Sequence, residues 1–465
     1  MDNRGNPLMK NEKQKKNPVS IVLLTAAVLI SLLLLGLYAW KNAAPPKTGD
    51  DNDTGPDTAI GTITPISVPT AVYKPTEALS PIAELTEIPS VTPTQEAAPT
   101  KKPSPTPRPE VTPMPRPEFQ PVKALYLKPG SFQDSSRLDH YIDLANRTEI
   151  NAYVIDIKSD WGMITYKSGI DDVIAAKACS NNIDIRKIIK KLHDNNIRVI
   201  GRVVTFKDSV ITKYRPDMAI HHNGKLFDQS RDGSGVYWLD ATNRDSWDYI
   251  LAIVQEAIYY GFDEIQFDYV RFPETSLYEY ELSNLEEGKE RHEYIEEFLK
   301  YIRENVPEDI ILSADVFGMP LISSRDYGEI GQTLESIGWN LDYISPMIYP
   351  SHFANSAPKG SMANGEGQVI NGIKFTHPDL YPYEVVYNTL LVGKRRIEAV
   401  EGYNLKVRPY IQGFTADYLP SGYWKQYGVE EYRAQIQAVY DAGYEEWIFW
   451  NAPNTYIEEA FLPEE

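Results

Sequence analysis

Cysteine and histidine are scarce in this sequence, with one Cys and seven His among 465 residues. Because Cys179 is the only cysteine, no internal disulfide can form and a zinc site of the cysteine type is excluded. The histidines show neither His-x-His nor His-Glu-x-x-His spacing, and the adjacent His221 and His222 are expected in a solvated loop. A Gly-x-Ser-x-Gly elbow is also missing, which argues against a serine hydrolase. We therefore predict neither a metal site nor a cofactor.

Positive charge is in deficit as well. The chain has 46 Lys and Arg against 65 Asp and Glu, giving a formal net charge of -19. Nucleic-acid binding needs a basic face that neutralises phosphates, so this balance argues against a nucleic-acid partner.

One long uncharged apolar run is present, at residues 19–40, and it follows a basic tail at residues 1–18. About 20 apolar residues suffice to cross a bilayer. Because the basic residues precede the run, the positive-inside rule keeps the N-terminus cytoplasmic. We predict a single-pass anchor in the cell membrane, with the rest of the chain extracytoplasmic. A cleaved signal peptide is the alternative, although its apolar region is usually only about 7–15 residues.

Proline and threonine dominate the next segment, residues 41–122. Of the chain's 34 prolines, 18 fall between residues 45 and 122. Such a segment cannot build a core and favours extended polyproline geometry. We predict a disordered linker that holds the following domain away from the membrane.

From residue 123 to residue 465, short apolar runs alternate with amphipathic segments. Ile185, Ile188, Ile189 and Leu192 show the helical spacing i, i+3, i+4, i+7. Eight strands alternating with helices predict one (β/α)8 TIM barrel. An open doubly wound sheet is the alternative, but no Gly-rich phosphate fingerprint follows the first run. The eight runs are residues 124–127, 152–157, 198–205, 264–270, 310–316, 343–349, 408–413 and 446–450.

The fourth run contains a carboxylate, Asp268, and Arg271 and Pro273 follow it. A carboxylate within a buried strand costs free energy unless it has a partner or a task. Active sites of (β/α)8 barrels lie at the C-terminal ends of the strands. Other runs also end in polar or aromatic residues, and a further tryptophan lies in a long connection. These are Asp156, Lys158, Trp161, Trp238, Asp315, Tyr349, Gln412, Trp450 and Asn451.

Converging carboxylates suit the cleavage of glycosidic bonds, which needs one protonated carboxyl and one ionised carboxylate. We predict Asp268 and Asp315 as the pair. A charge from Arg271 would keep Asp268 ionised as nucleophile or base, leaving Asp315 as the acid. The two roles are interchangeable at this stage, and Asp156 could replace either residue. Predicted substrate contacts come from Arg271, Lys158, Trp161, Trp238, Tyr349, Gln412, Trp450 and Asn451.

The segment 267–273, Phe-Asp-Tyr-Val-Arg-Phe-Pro, resembles the signature of the putative glycosyl hydrolase domain family, a group of bacterial barrel proteins. Segments 154–158, 313–318 and 345–350 support the resemblance. It implies a TIM-barrel glycosidase over nearly all of residues 123–465. A more distant likeness is to chitinase-like barrels, whose Met-x-Tyr is matched by residues 347–349. Their proton-donating Glu is replaced by Val270, so their substrate-assisted mechanism is not supported and the acid must come from elsewhere.

Together these patterns predict a membrane-anchored, extracytoplasmic glycoside hydrolase of a Gram-positive-type bacterium. The expected substrate is a cell-wall or environmental polysaccharide. A non-catalytic glycan-binding barrel of the cell envelope is the main alternative, and a polysaccharide deacetylase or lyase is a second. An enzyme needs Asp268 and Asp315 within about 5–10 Å of each other, whereas a binding protein does not.

Overall fold

The computed structural model describes residues 115–463, except residues 119, 231–232 and 275–279. The predicted tail at 1–18, the predicted membrane helix at 19–40 and nearly all of the predicted linker at 41–122 lie outside these residues. Within the described part of the chain, every helix is too short or too polar to cross a bilayer.

Eight parallel strands form a closed barrel in sequence order, because the last strand pairs with the first. This closure confirms the predicted TIM barrel and contradicts the open-sheet alternative. The seventh strand is interrupted because Pro409 has no N–H to donate to a neighbouring strand, and a separate short strand, Lys406–Val407, pairs with the sixth strand ahead of it. The strands are β1 Lys123–Leu127, β2 Ala152–Lys158, β3 Arg198–Val204, β4 Glu264–Asp268, β5 Ile311–Phe317, β6 Tyr343–Ile348, β7 Tyr410–Gln412 and β8 Trp447–Trp450.

Helices separate successive strands. The longer ones are amphipathic, as α2 illustrates: Ile185, Ile188, Ile189 and Leu192 are all buried against the barrel. The helices between strands are α1 Ser135–Arg147, α2 Ile185–His193, α3 Arg244–Tyr260, α4 Arg291–Glu304, α5 Leu334–Ile337, α6 Pro382–Glu398 and α7 Val429–Asp441. Shorter helices at Asp171–Ala175, Ile211–Tyr214 and Met319–Ile322 lie within the connections.

Strand alternation divides the core into two parts. Residues such as Leu125 and Tyr153 pack outward under the helices, while Ala124 and Val154 pack in a separate cluster inside the barrel. The barrel interior is partly polar. Near its N-terminal end, Glu264 pairs with Arg408 and accepts a hydrogen bond from the Ser313 hydroxyl at 2.5 Å.

Two long connections follow β3 and β6 and therefore border the C-terminal end of the barrel. The first contains a hairpin of His221–His222 and Lys225–Leu226. The second contains a hairpin of Gln368–Ile370 and Ile373–Phe375.

Candidate active site

The guanidinium of Arg202 on β3 contacts three carboxylates. Its Nε and Nη2 donate to Oδ2 of Asp268 at 2.8 and 2.5 Å. Its Nη1 donates to Oδ1 of Asp156 at 2.7 Å, and its Nη2 lies 3.3 Å from Oδ1 of Asp160. Arg202, and not the predicted Arg271, is thus the cation on Asp268.

Strand register explains why these side chains meet. Asp156 pairs with Arg202 across β2 and β3, so both point to the same face of the sheet. Arg202 in turn pairs with Gln266 on β4. Asp268 lies two residues beyond Gln266 and, because side chains alternate with a period of two, it points into the barrel as well.

The backbone after Asp268 is strained. Tyr269 has φ +50°, in the left-handed region that a bulky residue rarely occupies. This conformation ends β4 two residues earlier than predicted and lets the Tyr269 N–H donate to Oδ1 of Asp268 at 2.6 Å. Strain of this kind clusters at functional sites, where it helps to fix a side chain. Both oxygens of Asp268 are therefore held in place.

Asp315 on β5 has the opposite environment. It is buried, and its Oδ1 has no hydrogen-bond partner among the described residues. Burial raises the pKa of Asp315 well above its ordinary value, and the negative charge of Asp268 raises it further. The charges of Arg202 and Arg408 oppose this shift without cancelling it. Asp315 therefore favours its protonated form more strongly than an ordinary aspartate does, whereas Asp268 is paired with a cation.

Asp156 is also buried, and burial raises its pKa, while the charge of Arg202 opposes the shift. The hydroxyl of Tyr126 donates to Oδ2 of Asp156 at 2.8 Å. Both carboxylate oxygens of Asp156 are thus bonded to protein groups, which fits a role in orienting Arg202. Among the described residues, no group of three or more His, Cys, Asp or Glu is arranged to hold a metal ion.

An aromatic wall stands beside the carboxylates. Trp450 stacks on Tyr349 with ring centroids 5.8 Å apart and on Tyr126 at 6.5 Å. The ring of Phe414 meets Trp450 edge-on at 5.5 Å. Trp450 is only half-buried, so part of its ring remains available to a ligand. The structure thus brings together the predicted Trp450 and Tyr349.

Several predicted substrate-binding residues instead make contacts within the protein. The ammonium of Lys158 is fully buried, 2.9 Å from Oδ2 of Asp208. The amide of Gln412 bonds to Ser351 and Asp379. Substrate binding by Lys158 and Gln412 stays a prediction that these contacts do not support.

Three further predicted substrate-binding residues also make contacts within the protein, so their binding of substrate stays a prediction that these contacts do not support. Asn451 donates to the carbonyl of Gly413, which follows β7, and to that of Thr455 at 3.0 Å. Trp238 is buried and donates to Gln229 at 2.9 Å. The guanidinium of Arg271 lies 5.1 Å from the centre of the Trp238 ring and donates to the Phe272 carbonyl at 3.0 Å.

Arg202 and Asp160 are the site residues that were missing from the predicted set. A signal for Arg202 existed, since it is a charge within the apolar run 198–204 and is as costly to bury as Asp268. Asp160 directly precedes Trp161 and follows β2 by two residues, at the end of the barrel where the site lies.

A closed parallel barrel with carboxyl groups at the C-terminal ends of its strands is the architecture of TIM-barrel glycoside hydrolases. The model of the family described as "Putative glycosyl hydrolase domain" matches residues 124–456. The chain belongs to this family. No curated protein matches the chain.

The chain is similar to several solved structures. A hypothetical protein from Ruminiclostridium thermocellum is 48% identical over 41% of this chain and 97% of its own, with a TM-score of 0.38. The glycoside hydrolase domain of PgaB (BpsB) from Bordetella bronchiseptica is 11% identical over 74% of this chain and 100% of its own, with a TM-score of 0.53. At this identity, the second likeness shows a shared fold.

Proposed function

We propose that the chain hydrolyses glycosidic bonds of a cell-wall or environmental polysaccharide outside the cell membrane, with Asp315 as the acid and Asp268 as the nucleophile or base. Family membership supports the reaction class. The observation that carries the assignment is the contrast between the two carboxyl groups. Asp268 is ion-paired to Arg202, while the buried Oδ1 of Asp315 has no hydrogen-bond partner within the described part of the chain.

In this proposal, Asp315 gives its proton to the leaving glycosidic oxygen as the bond to the anomeric carbon breaks. The Asp268 carboxylate either attacks that carbon or takes a proton from the attacking water. Arg202 and the Tyr269 N–H hold Asp268 in the required orientation. Trp450 and Tyr349 offer an aromatic surface against which the apolar face of a pyranose can pack.

Replacing the two carboxylates tests the proposal. Polysaccharides including peptidoglycan, chitosan, β-glucan and galactomannan are incubated with the purified chain, and new reducing ends are counted. General acid or base catalysis contributes about 10²–10⁴-fold, so Asp268→Asn and Asp315→Asn should each lower kcat by at least about 100-fold. Asp143→Asn, which removes a carboxylate whose side chain is 70% exposed on α1, is the control and should keep wild-type activity.

If Asp268→Asn leaves hydrolysis of a responsive polysaccharide intact, the mechanism is wrong. If the wild-type chain binds glycans but releases no reducing ends from any of them, the non-catalytic alternative replaces it.

The tether is a further part of the proposal. We infer from sequence that residues 19–40 anchor the chain and that residues 41–122 form an extended linker. The N–H of Val122 donates to Oε1 of Glu446 at 2.8 Å, just before β1 begins. The chain therefore enters the barrel at the N-terminal ends of the strands, away from the carboxylates. A mature protein that begins near Ala44 would contradict the anchor.

A further inference from the structure

The turn that follows β2 presents two side chains that the proposed chemistry does not use, Asp160 and Trp161. The N–H of Gly162 donates to the carbonyl of Ser159 at 2.9 Å, which closes the turn. Gly162 has φ +95°, and a Cβ there would lie 2.0 Å from Oδ1 of Asp208. The turn is therefore packed directly against Asp208, and only glycine fits at that contact.

A buried ion pair holds this turn in place. Nζ of Lys158 lies 2.9 Å from Oδ2 of Asp208, and both side chains are fully buried. The same ammonium donates to the carbonyl of Val204 at 2.6 Å, at the end of β3. The turn is thus fixed to the ends of two strands. A fixed loop loses little conformational entropy when a ligand binds to it.

The two presented side chains are open to solvent. The side chain of Asp160 is 44% exposed although its Oδ1 lies 3.3 Å from Nη2 of Arg202. The part of Asp160 that packs against the protein is desolvated, which raises its pKa, but the charges of Arg202 and Lys207 outweigh this and leave the pKa below its ordinary value. Asp160 is therefore an ionised hydrogen-bond acceptor at the edge of the carboxylate group.

Trp161 is 50% exposed, close to the 48% of Trp339 at the other end of the barrel. The two tryptophans differ in their contacts. The indole N–H of Trp339 donates to the Glu335 carbonyl at 3.1 Å, and its ring packs 4.9 Å from that of Tyr403. The indole of Trp161 has no such hydrogen bond or ring contact in the described part of the chain. Its ring is free to pack against a ligand.

We propose that Asp160 and Trp161 form a sugar-binding subsite beside the catalytic carboxylates, and that the substrate is a polymer extending over this subsite. This rests on the proposed function. An indole packs against the apolar face of a pyranose, and a neighbouring carboxylate accepts hydrogen bonds from its hydroxyl groups. The enzyme would then cleave polysaccharide chains in preference to single-sugar glycosides.

Affinity electrophoresis tests this subsite without requiring turnover. The full chain is run in detergent through native gels that contain soluble peptidoglycan strands, glycol chitosan, β-glucan or galactomannan. We expect at least one polymer to retard the wild-type chain. Trp161→Ala and Asp160→Asn should each weaken the apparent affinity for that polymer about tenfold, as expected for a residue that anchors a ligand. Trp339→Ala, the matched control, should migrate like the wild type.

The outcomes separate the subsite from the catalytic assignment. Asp268→Asn should remain retarded by the polymer while losing hydrolysis. If Trp161→Ala is retarded as strongly as Trp339→Ala, the subsite is overturned, whereas loss of hydrolysis in Asp268→Asn would still support the catalytic pair. If no polymer retards the wild-type chain, the polymer-binding inference is also overturned.

Discussion

At the residue scale, Arg202 is the side chain that connects the carboxylates of the site through hydrogen bonds. Its guanidinium donates to Asp268 through two nitrogen atoms and to Asp156 through a third. Arginine suits this position because its planar fork can bind several carboxylate oxygens at once, which the lysine ammonium cannot do in the same geometry. The carboxylates and the cation are therefore one unit, and neither is stable in the barrel interior without the other.

Removing the guanidinium should thus destabilise the fold. Arg202→Met leaves Asp156 and Asp268 buried without their cation, and breaking such a pair costs about 3–5 kcal/mol. Urea unfolding measures the loss, and Arg202→Lys should recover part of it. Arg147→Met, which removes the ion pairs of a half-exposed guanidinium with Asp143 and Glu458, should cost only about 0–1 kcal/mol for each pair. Equal small losses for the two Met variants would contradict this account of Arg202.

At the element scale, the eight predicted strands all formed, because strands buried on both faces consist of nearly continuous apolar runs. The cation that pairs with Asp268 could not be predicted in the same way. Arg271 is three residues from Asp268, yet the partner is Arg202, 66 residues away in the sequence. That pairing depends on the register between β3 and β4, and no local pattern encodes it. The early end of β4 depends on the positive φ of Tyr269, which its sequence neighbours also do not indicate.

The connection after β6 is tied to β7 by a buried carboxyl. The amide of Gln412 donates to Oδ1 of Asp379 at 3.0 Å, and burial raises the pKa of Asp379 to about 6 from its ordinary 3.8. Between these two pH values the folded state keeps a proton that the unfolded state loses. Asp379 therefore makes the fold less stable as pH rises through this window.

Asp379→Asn should remove this pH dependence. The difference in unfolding free energy between the variant and the wild type should shift in favour of the variant by about 2 kcal/mol between pH 4 and pH 7, since one pKa unit corresponds to about 1.4 kcal/mol and part of the shift already lies below pH 4. Urea unfolding at the two pH values measures the shift. A difference that stays constant with pH, or that moves toward the wild type, would show that Asp379 is not a protonated buried carboxyl.

At the scale of the whole molecule, the barrel places both ends of the described chain at one end and the carboxylates at the other. The chain enters before β1, and its C-terminal segment returns to the same end, where the N–H of Glu149 donates to the carbonyl of Leu462 at 2.7 Å. The carboxylates lie at the opposite ends of the strands, as the barrel class requires. Alternating strands and helices made this architecture predictable from sequence. The sequence favoured Asp315 as the acid but left the two roles interchangeable, because burial and the nearby charges follow only from the assembled barrel.

The proposed role of Asp315 as the acid requires that it carry a proton, and this protonation can be measured without a substrate. Infrared difference spectra between the wild type and Asp315→Asn, recorded at pH 7, report the carboxyl group directly. A carbonyl stretch of a protonated carboxylic acid should be present in the wild type and lost in the variant, since burial and the charge of Asp268 both raise the pKa of Asp315. A difference spectrum that contains only the bands of an ionised carboxylate would contradict the protonation of Asp315.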